Sequence, residues 1–166
     1  MRRIAGMKSL EAAMRKDFTG GFKYLYVPTF GAEVEELDQL CYLLVAANAG
    51  YAQGQHQAKT TLVVDELDQS FPSGITQRNP RNGFAYLCRR GRHYGINLVG
   101  ISQRTAQVDV CFRGNLSGAY YFRHADQLDI DKAVQTLGRQ YRAQMQGLKN
   151  FCYIYQSNGV VNIKNN

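Results

Sequence analysis

Thr61-Leu62-Val63-Val64-Asp65-Glu66 decides how the chain is read: an uncharged apolar run, rich in β-branched residues, that ends in two adjacent carboxylates. Buried strands of parallel sheets are continuous apolar runs rather than alternating ones. In open α/β sheets, ligands sit outside the carboxyl ends of such strands. The stretch therefore predicts a strand that delivers Asp65 and Glu66 to a rim where chemistry is usual. The plainer alternative is a strand that simply finishes in polar residues.

Upstream, residues 51–59 read as a polar loop, and 32–48 as a helix stopped by Gly50. Glu33, Glu35 and Glu36 in its first turn suit the positive end of the helix dipole. Val34, Leu37, Cys41, Leu44 and Val45 recur at helical spacing. Residues 22–27, aromatic and β-branched and closed by Pro28, read as a strand. Residues 9–18 read as a short helix ended by Gly20-Gly21. Downstream, 68–82 holds two Pro and no convincing period, and is expected to be a long loop. A helix over 83–94 ends at Gly95. Apolar runs follow at 96–102, running into Gln103, and at 118–123, closing on Arg123. Helices are expected at 126–137 and 139–148, then a strand over 150–156. Ser157-Asn158-Gly159 between two β-rich runs predicts a C-terminal hairpin.

Helices and strands alternate through most of the chain, which argues α/β with a largely parallel central sheet flanked by helices and an antiparallel edge. At 166 residues the chain fits a single domain, 1–166, with a real core. The formal charge is +7, and 13 of the 20 basic residues are Arg, the side chain suited to phosphate. Such a charge favours polyanion partners without specifying a fold. Cys41, Cys88, Cys111 and Cys152 form no CxxC pair, which argues against a zinc site or a disulfide scaffold and fits a reducing interior. No apolar run approaches the roughly 20 residues of a membrane span. The expectation is a cytoplasmic protein, of a bacterial host cell or phage-encoded.

Asp65 and Glu66 end one expected strand and Gln103 ends the next, so the three share one crevice. That set suits nucleotide hydrolysis: one carboxylate holds Mg²⁺, the other orients or deprotonates water, and an amide senses the terminal phosphate. Between residues 69 and 108 lie six Arg (Arg78, Arg81, Arg89, Arg90, Arg92, Arg104) and no acid. A solvated face is the ordinary use of such a run. Phosphates of a polynucleotide are a second use for Arg78, Arg81, Arg89 and Arg90, and a finger inserted at a neighbouring subunit's nucleotide is a third. His93 is expected to cap a helix end, with His56 and His124 at the surface or an edge. Asp109 and Arg113 are assigned to a turn making polar subunit contacts. Tyr120, Tyr121 and Tyr153 are expected to pack a sheet, and Asp126, Asp129 and Asp131 to suit a helix N-terminus rather than a metal cluster.

TTLVVDE, then RRGRHYGINLVGISQR, then a strand ending in YYFR, in that order, resembles the FtsK/HerA group of P-loop ATPases. Within that group the phage-type DNA-packaging ATPases and the zonula occludens toxin-like assembly proteins look most similar. The resemblance spans roughly residues 22–148. It implies an ASCE P-loop ATPase-like fold, with Asp65 as the Walker B metal ligand and Glu66 as catalytic glutamate. It makes Gln103 the sensor and places an arginine finger at Arg92, with Arg89 or Arg90 as alternatives. It also implies ATP and Mg²⁺ as cofactors, DNA as partner and a ring-forming oligomer. The sequence departs from the family in one respect: no GxxxxGK[ST] occurs in it, and Gly54 to Thr60 lacks the second Gly and the spacing. The first βα unit of the fold is thus expected to be missing, leaving this chain by itself with little or no ATPase activity. It is then either part of a packaging or translocation motor, or a non-catalytic module that binds DNA or a complete ATPase subunit.

Overall fold

The computed structural model describes residues 1–17 and 20–164. Phe18, the last residue of the first expected helix, lies outside them. A strand the sequence did not announce opens the chain: β1 (Arg2–Ala5), in which only Ile4 is buried. Four residues with one apolar contact carry too little pattern to be seen as a strand. Gly6, at φ 79°, turns β1 into α1 (Met7–Asp17), which buries Leu10, Ala13 and Met14. β2 (Tyr24–Val27) follows and pairs with β1 in parallel. Next is α2 (Glu33–Ala47), which buries Leu37, Leu40, Cys41 and Leu44, the i, i+3, i+4, i+7 stripe. Each such leucine contributes about 1.5–3 kcal/mol by leaving water. A further turn, α3 (Ala49–Ala52), occupies the start of the expected loop at 51–59.

β3 (Thr60–Val64) is the opening stretch of the argument. The expected loop at 68–82 holds two helical turns, α4 (Leu67–Ser70) and α5 (Ile75–Arg78). Leu67, Phe71 and Ile75 anchor it in the core, so its apolar residues, spaced by four, act as pegs rather than as a lengthy period. α6 (Gly83–Arg90) starts at Asn82, whose side chain accepts the Ala85 N–H at 3.1 Å. Gly83 lets α6 approach α2: a Cβ there would stand 2.6 Å from the Asp38 carbonyl oxygen. The expected helix at 83–94 continues past Arg90 only as a 3₁₀ turn, Gly91–Tyr94. β4 (Ile96–Gly100) then pairs in parallel with β3, Val64 opposite Gly100.

After β4 come a 3₁₀ turn at Thr105–Gln107, α7 (Val110–Gly114) and β5 (Gly118–Tyr121). α8 (Gln127–Leu137) and, beyond a 3₁₀ turn, α9 (Arg142–Gln146) precede β6 (Tyr153–Ser157) and β7 (Val160–Lys164). β6 and β7 form the expected hairpin, with Asn158 and Gly159 both at positive φ, as a two-residue mirror-image turn requires.

The α/β class stands, but the strands do not form one continuous parallel sheet. They fall into two parallel pairs, β1–β2 and β3–β4, and an antiparallel trio, β5–β6–β7. β5 pairs antiparallel with β6. Two hydrophobic clusters follow this division. One unites β1–β4 with α1, α2 and α6; the other, including Tyr121, Ile130, Val134, Met145 and Ile154, lies between α8, α9 and the trio.

Candidate functional site

The parallel register of β3 and β4 brings their carboxyl ends side by side. Beyond the last ladder pair the two chains remain stitched together. Ile101 donates to the Val64 carbonyl at 2.9 Å, and Leu67 donates to the Ile101 carbonyl at 2.8 Å. Ser102 Oγ donates to the Asp68 carboxylate and accepts the Arg104 N–H at 3.0 Å. The adjacent Asp65 and Glu66 and the sequence-distant Gln103 thus lie on one rim, and all three are exposed. Asp65 is exposed and uses Oδ1 to accept the Glu66 N–H at 3.0 Å.

Glu66 has φ 50° and ψ 48°, the left-handed conformation, directly between β3 and α4. A non-glycine residue pays about 1–3 kcal/mol for such a backbone, and such residues concentrate at functional sites. Composition and period carry no trace of this feature.

Arg104, one of the six arginines of the acid-free run, is ion-paired in the structure. Its Nε donates to Asp129 at 3.0 Å and its terminal nitrogen to Asp126 at 3.1 Å. Asp129, 2% exposed, also accepts the Ala106 N–H at 2.7 Å. This arrangement fastens the segment after Gln103 to α8. Asp126 caps α8 by accepting the Leu128 N–H, and no group of three or more His, Cys, Asp or Glu that could hold a metal occurs among the described residues.

Asp109 and Arg113 do lie just after the 3₁₀ turn at Thr105–Gln107, as expected, and the burial of Asp109 turns its carboxylate to contacts within the chain. Asp109 is buried, caps α7 through the Cys111 N–H at 2.8 Å, and accepts from both the N–H and the hydroxyl of Thr76. Arg113 Nε donates to the Val108 carbonyl at 3.1 Å. Both residues bond to the chain's own loops. Tyr120, Tyr121 and Tyr153 pack the sheet as expected: Tyr121 is buried, and the exposed Tyr120 lies against Tyr153 and Tyr155 of β6, ring centroids 5.4 and 4.4 Å away.

Arg92 and His93 sit on the 3₁₀ turn before β4, so the whole strand separates Arg92 from Gln103. Five residues at about 3.3 Å each make that roughly 16 Å. Arg92 therefore does not join the acids of its own chain. Arg78, Arg81, Arg89, Arg90 and Arg92 are all exposed, and none forms an ion pair among the described residues. His124 is half-buried, 3.4 Å from Thr105 Oγ1, and burial lowers its pKa from the ordinary 6.5. Burial raises the Cys41 and Cys88 thiols far above their usual range, so neither is a nucleophile.

No protein-family model matches the sequence, and no curated protein matches it. Solved structures do match the fold. The genome packaging NTPase B204 of Sulfolobus turreted icosahedral virus 2, in complex with AMPPCP, superposes with TM-score 0.70 at 13% identity, over 90% of this chain and 69% of that one. The same NTPase with sulfate gives TM-score 0.70 at 12% identity, over 98% and 79% of the two chains. With ATP-gammaS it gives 0.67 at 14% identity. The fold is therefore similar to that of this packaging NTPase, and no helix among the described residues is long and apolar enough to cross a membrane.

Proposed function

We propose that this chain carries the hydrolytic half of an ATP-driven DNA packaging or translocation motor of the FtsK/HerA type. The observation that carries the reading is the joined rim of β3 and β4, with two carboxylates on one strand end and an amide on the next. In this reading Asp65 would hold Mg²⁺ through its carboxylate, an exposed, hard oxygen donor. Glu66, held in a left-handed backbone, orients or deprotonates the attacking water. Gln103 hydrogen-bonds the terminal phosphate. Mg²⁺ with ATP would supply charge neutralisation at the transferred phosphoryl group. Arg92, remote from its own acids, serves a neighbouring subunit's nucleotide, which requires a ring of subunits. The likeness to a packaging NTPase supports the fold on which this rests.

The test joins a strand–GxxxxGK[ST]–helix segment upstream of Met1 and measures Mg-ATP binding and turnover. Hydrolysis that falls at least 100-fold in Glu66→Gln with binding retained is the expected result. A folded fusion that binds no nucleotide would refute the proposal. The unpaired state of Arg78, Arg81, Arg89 and Arg90 favours a second reading, a non-catalytic DNA-binding module. That reading requires salt-sensitive DNA binding that Glu66→Gln leaves unchanged.

A further inference from the structure

The antiparallel register of the trio sets Tyr120 of β5 opposite Tyr155 of β6, Tyr155 opposite Asn162 of β7, and Tyr153 opposite Lys164. Paired residues share a face and successive residues alternate, so these side chains stand together on one side of the sheet. Tyr121 and Ile154 take the other side, buried in the cluster with Ile130 and Val134 of α8. Phe122, just beyond β5, joins the first group through Tyr153, ring centroids 5.9 Å apart. Four aromatic rings in mutual contact thus form one surface. Tyr120 and Phe122 are 59% and 56% exposed on it, although rings of that size are ordinarily put to use by burial. At the Phe122 end, Phe151 is exposed as well and holds the left-handed conformation, φ 64°.

The charge around this surface has one sign. Residues 118–164 contain six Lys and Arg and three Asp. The three, Asp126, Asp129 and Asp131, belong to α8 or its cap, and each is paired with Arg104 or Arg142. The strands themselves carry no carboxylate. Lys164 holds its Nζ 5.8 Å from the centre of the Tyr153 ring, and Arg123 closes β5, donating to Asn150 at 3.1 Å. Neither cation forms an ion pair among the described residues. Exposed rings flanked by unpaired cations, without acids, complement a base and its phosphate.

We propose that the outer face of β5–β6–β7 binds single-stranded DNA, with bases stacked on Tyr120, Phe122, Tyr153 and Tyr155 and backbone phosphates taken by Lys164 and Arg123. A single strand is required because the bases of a duplex already stack on one another and show a sheet no free ring face. Sheets that bind single strands through exposed aromatics stack about two or three bases each. Stacking tolerates any base, so the face holds a strand without reading its sequence. The site is separate from the exposed Arg78, Arg81, Arg89 and Arg90, which lie on other elements. The choice of DNA over RNA rests on the motor reading; the stacking surface stands without it.

Fluorescence anisotropy of a labelled, unpaired DNA strand of about 12 nucleotides tests the site, beside the same sequence as duplex and as RNA. The single strand should bind at least tenfold tighter than the duplex. Tyr120→Ala should weaken it at least fivefold, while Tyr120→Phe, which keeps the ring, stays within twofold of wild type. Lys164→Gln should flatten the dependence of log affinity on log salt by about 0.7. Ring proton signals of the unaltered chain locate the strand without any variant: those of Tyr120, Phe122, Tyr153 and Tyr155 should shift together on titration. Duplex binding as tight as single-strand binding would overturn the proposal, as would shifts confined to Arg78, Arg81, Arg89 and Arg90. Ring shifts that grow with protein concentration in the absence of DNA would also overturn it, by making a second copy the occupant. RNA bound at least tenfold tighter than DNA would overturn the choice of DNA. Single-strand binding by the upstream fusion without Mg-ATP turnover would sustain this site and sink the motor reading, and turnover without ring shifts would do the reverse.

Discussion

Replacing Asp129 with Ala removes the buried carboxylate that fastens the segment after Gln103 to α8. Two bonds disappear, one from Arg104 Nε at 3.0 Å and one from the Ala106 N–H at 2.7 Å. A hydrogen bond to a charged group contributes about 1.5–3 kcal/mol, and an orphaned buried N–H costs about 1–3 kcal/mol. The Arg104 side chain is 42% exposed, so its released guanidinium rehydrates and keeps Asp126, which lowers the total. The expected loss is about 2–3 kcal/mol. For a chain of this size each kcal/mol moves the melting temperature by about 2–4 °C, so the midpoint should fall by about 4–12 °C. Urea unfolding followed by circular dichroism gives the free energy, and calorimetry gives the midpoint. A loss below about 0.5 kcal/mol would refute the view that Asp129 anchors this segment. Asp129→Asn keeps one acceptor for Ala106 and should fall between the two.

Three further outcomes follow from the geometry. Gly100→Ala places a Cβ 2.4 Å from Leu67 Cδ2 and 2.7 Å from Phe112 Cζ, so overpacking should cost about 1–3 kcal/mol in urea unfolding. Glu66→Gly relieves the left-handed backbone and should leave stability unchanged or raise it by about 1 kcal/mol, while removing hydrolysis in the completed motor. Burial lowers the His124 pKa below 6.5, so the unfolded chain binds its proton first as pH falls. Its contribution is fully present above pH 6.5 and is lost below it. The stability difference between wild type and His124→Gln, followed from pH 8 to pH 5, should therefore change only below about pH 6.5.

The parts legible in the sequence were those with a local signature. β3, α2, α8 and the Asn158-Gly159 hairpin each carry a period or a turn pair that needs no tertiary help. The meeting of Asp65, Glu66 and Gln103 was legible because parallel strands place their carboxyl ends together. The rest depended on contacts distant in the chain. β1 exposes all but Ile4, so no pattern marks it. α4 and α5 are held by Leu67, Phe71 and Ile75 rather than by propensity. Arg104 looks like any other arginine until α8 supplies Asp126 and Asp129. The division of the strands into separate sheets has no local signature, because an edge is defined by the neighbour it lacks.

The central claim is that the β3–β4 rim holds the metal and the phosphates. In the chain completed with a strand–GxxxxGK[ST]–helix segment, Mn²⁺-ATP in place of Mg²⁺-ATP would locate the metal through paramagnetic broadening of amide signals. The account predicts the strongest broadening at Asp65, Glu66, Ser102 and Gln103, much weaker broadening at Arg92 of the same subunit in a monomeric preparation, and loss of the effect in Asp65→Asn. Broadening centred elsewhere, with the Asp65 and Gln103 signals untouched, would contradict it.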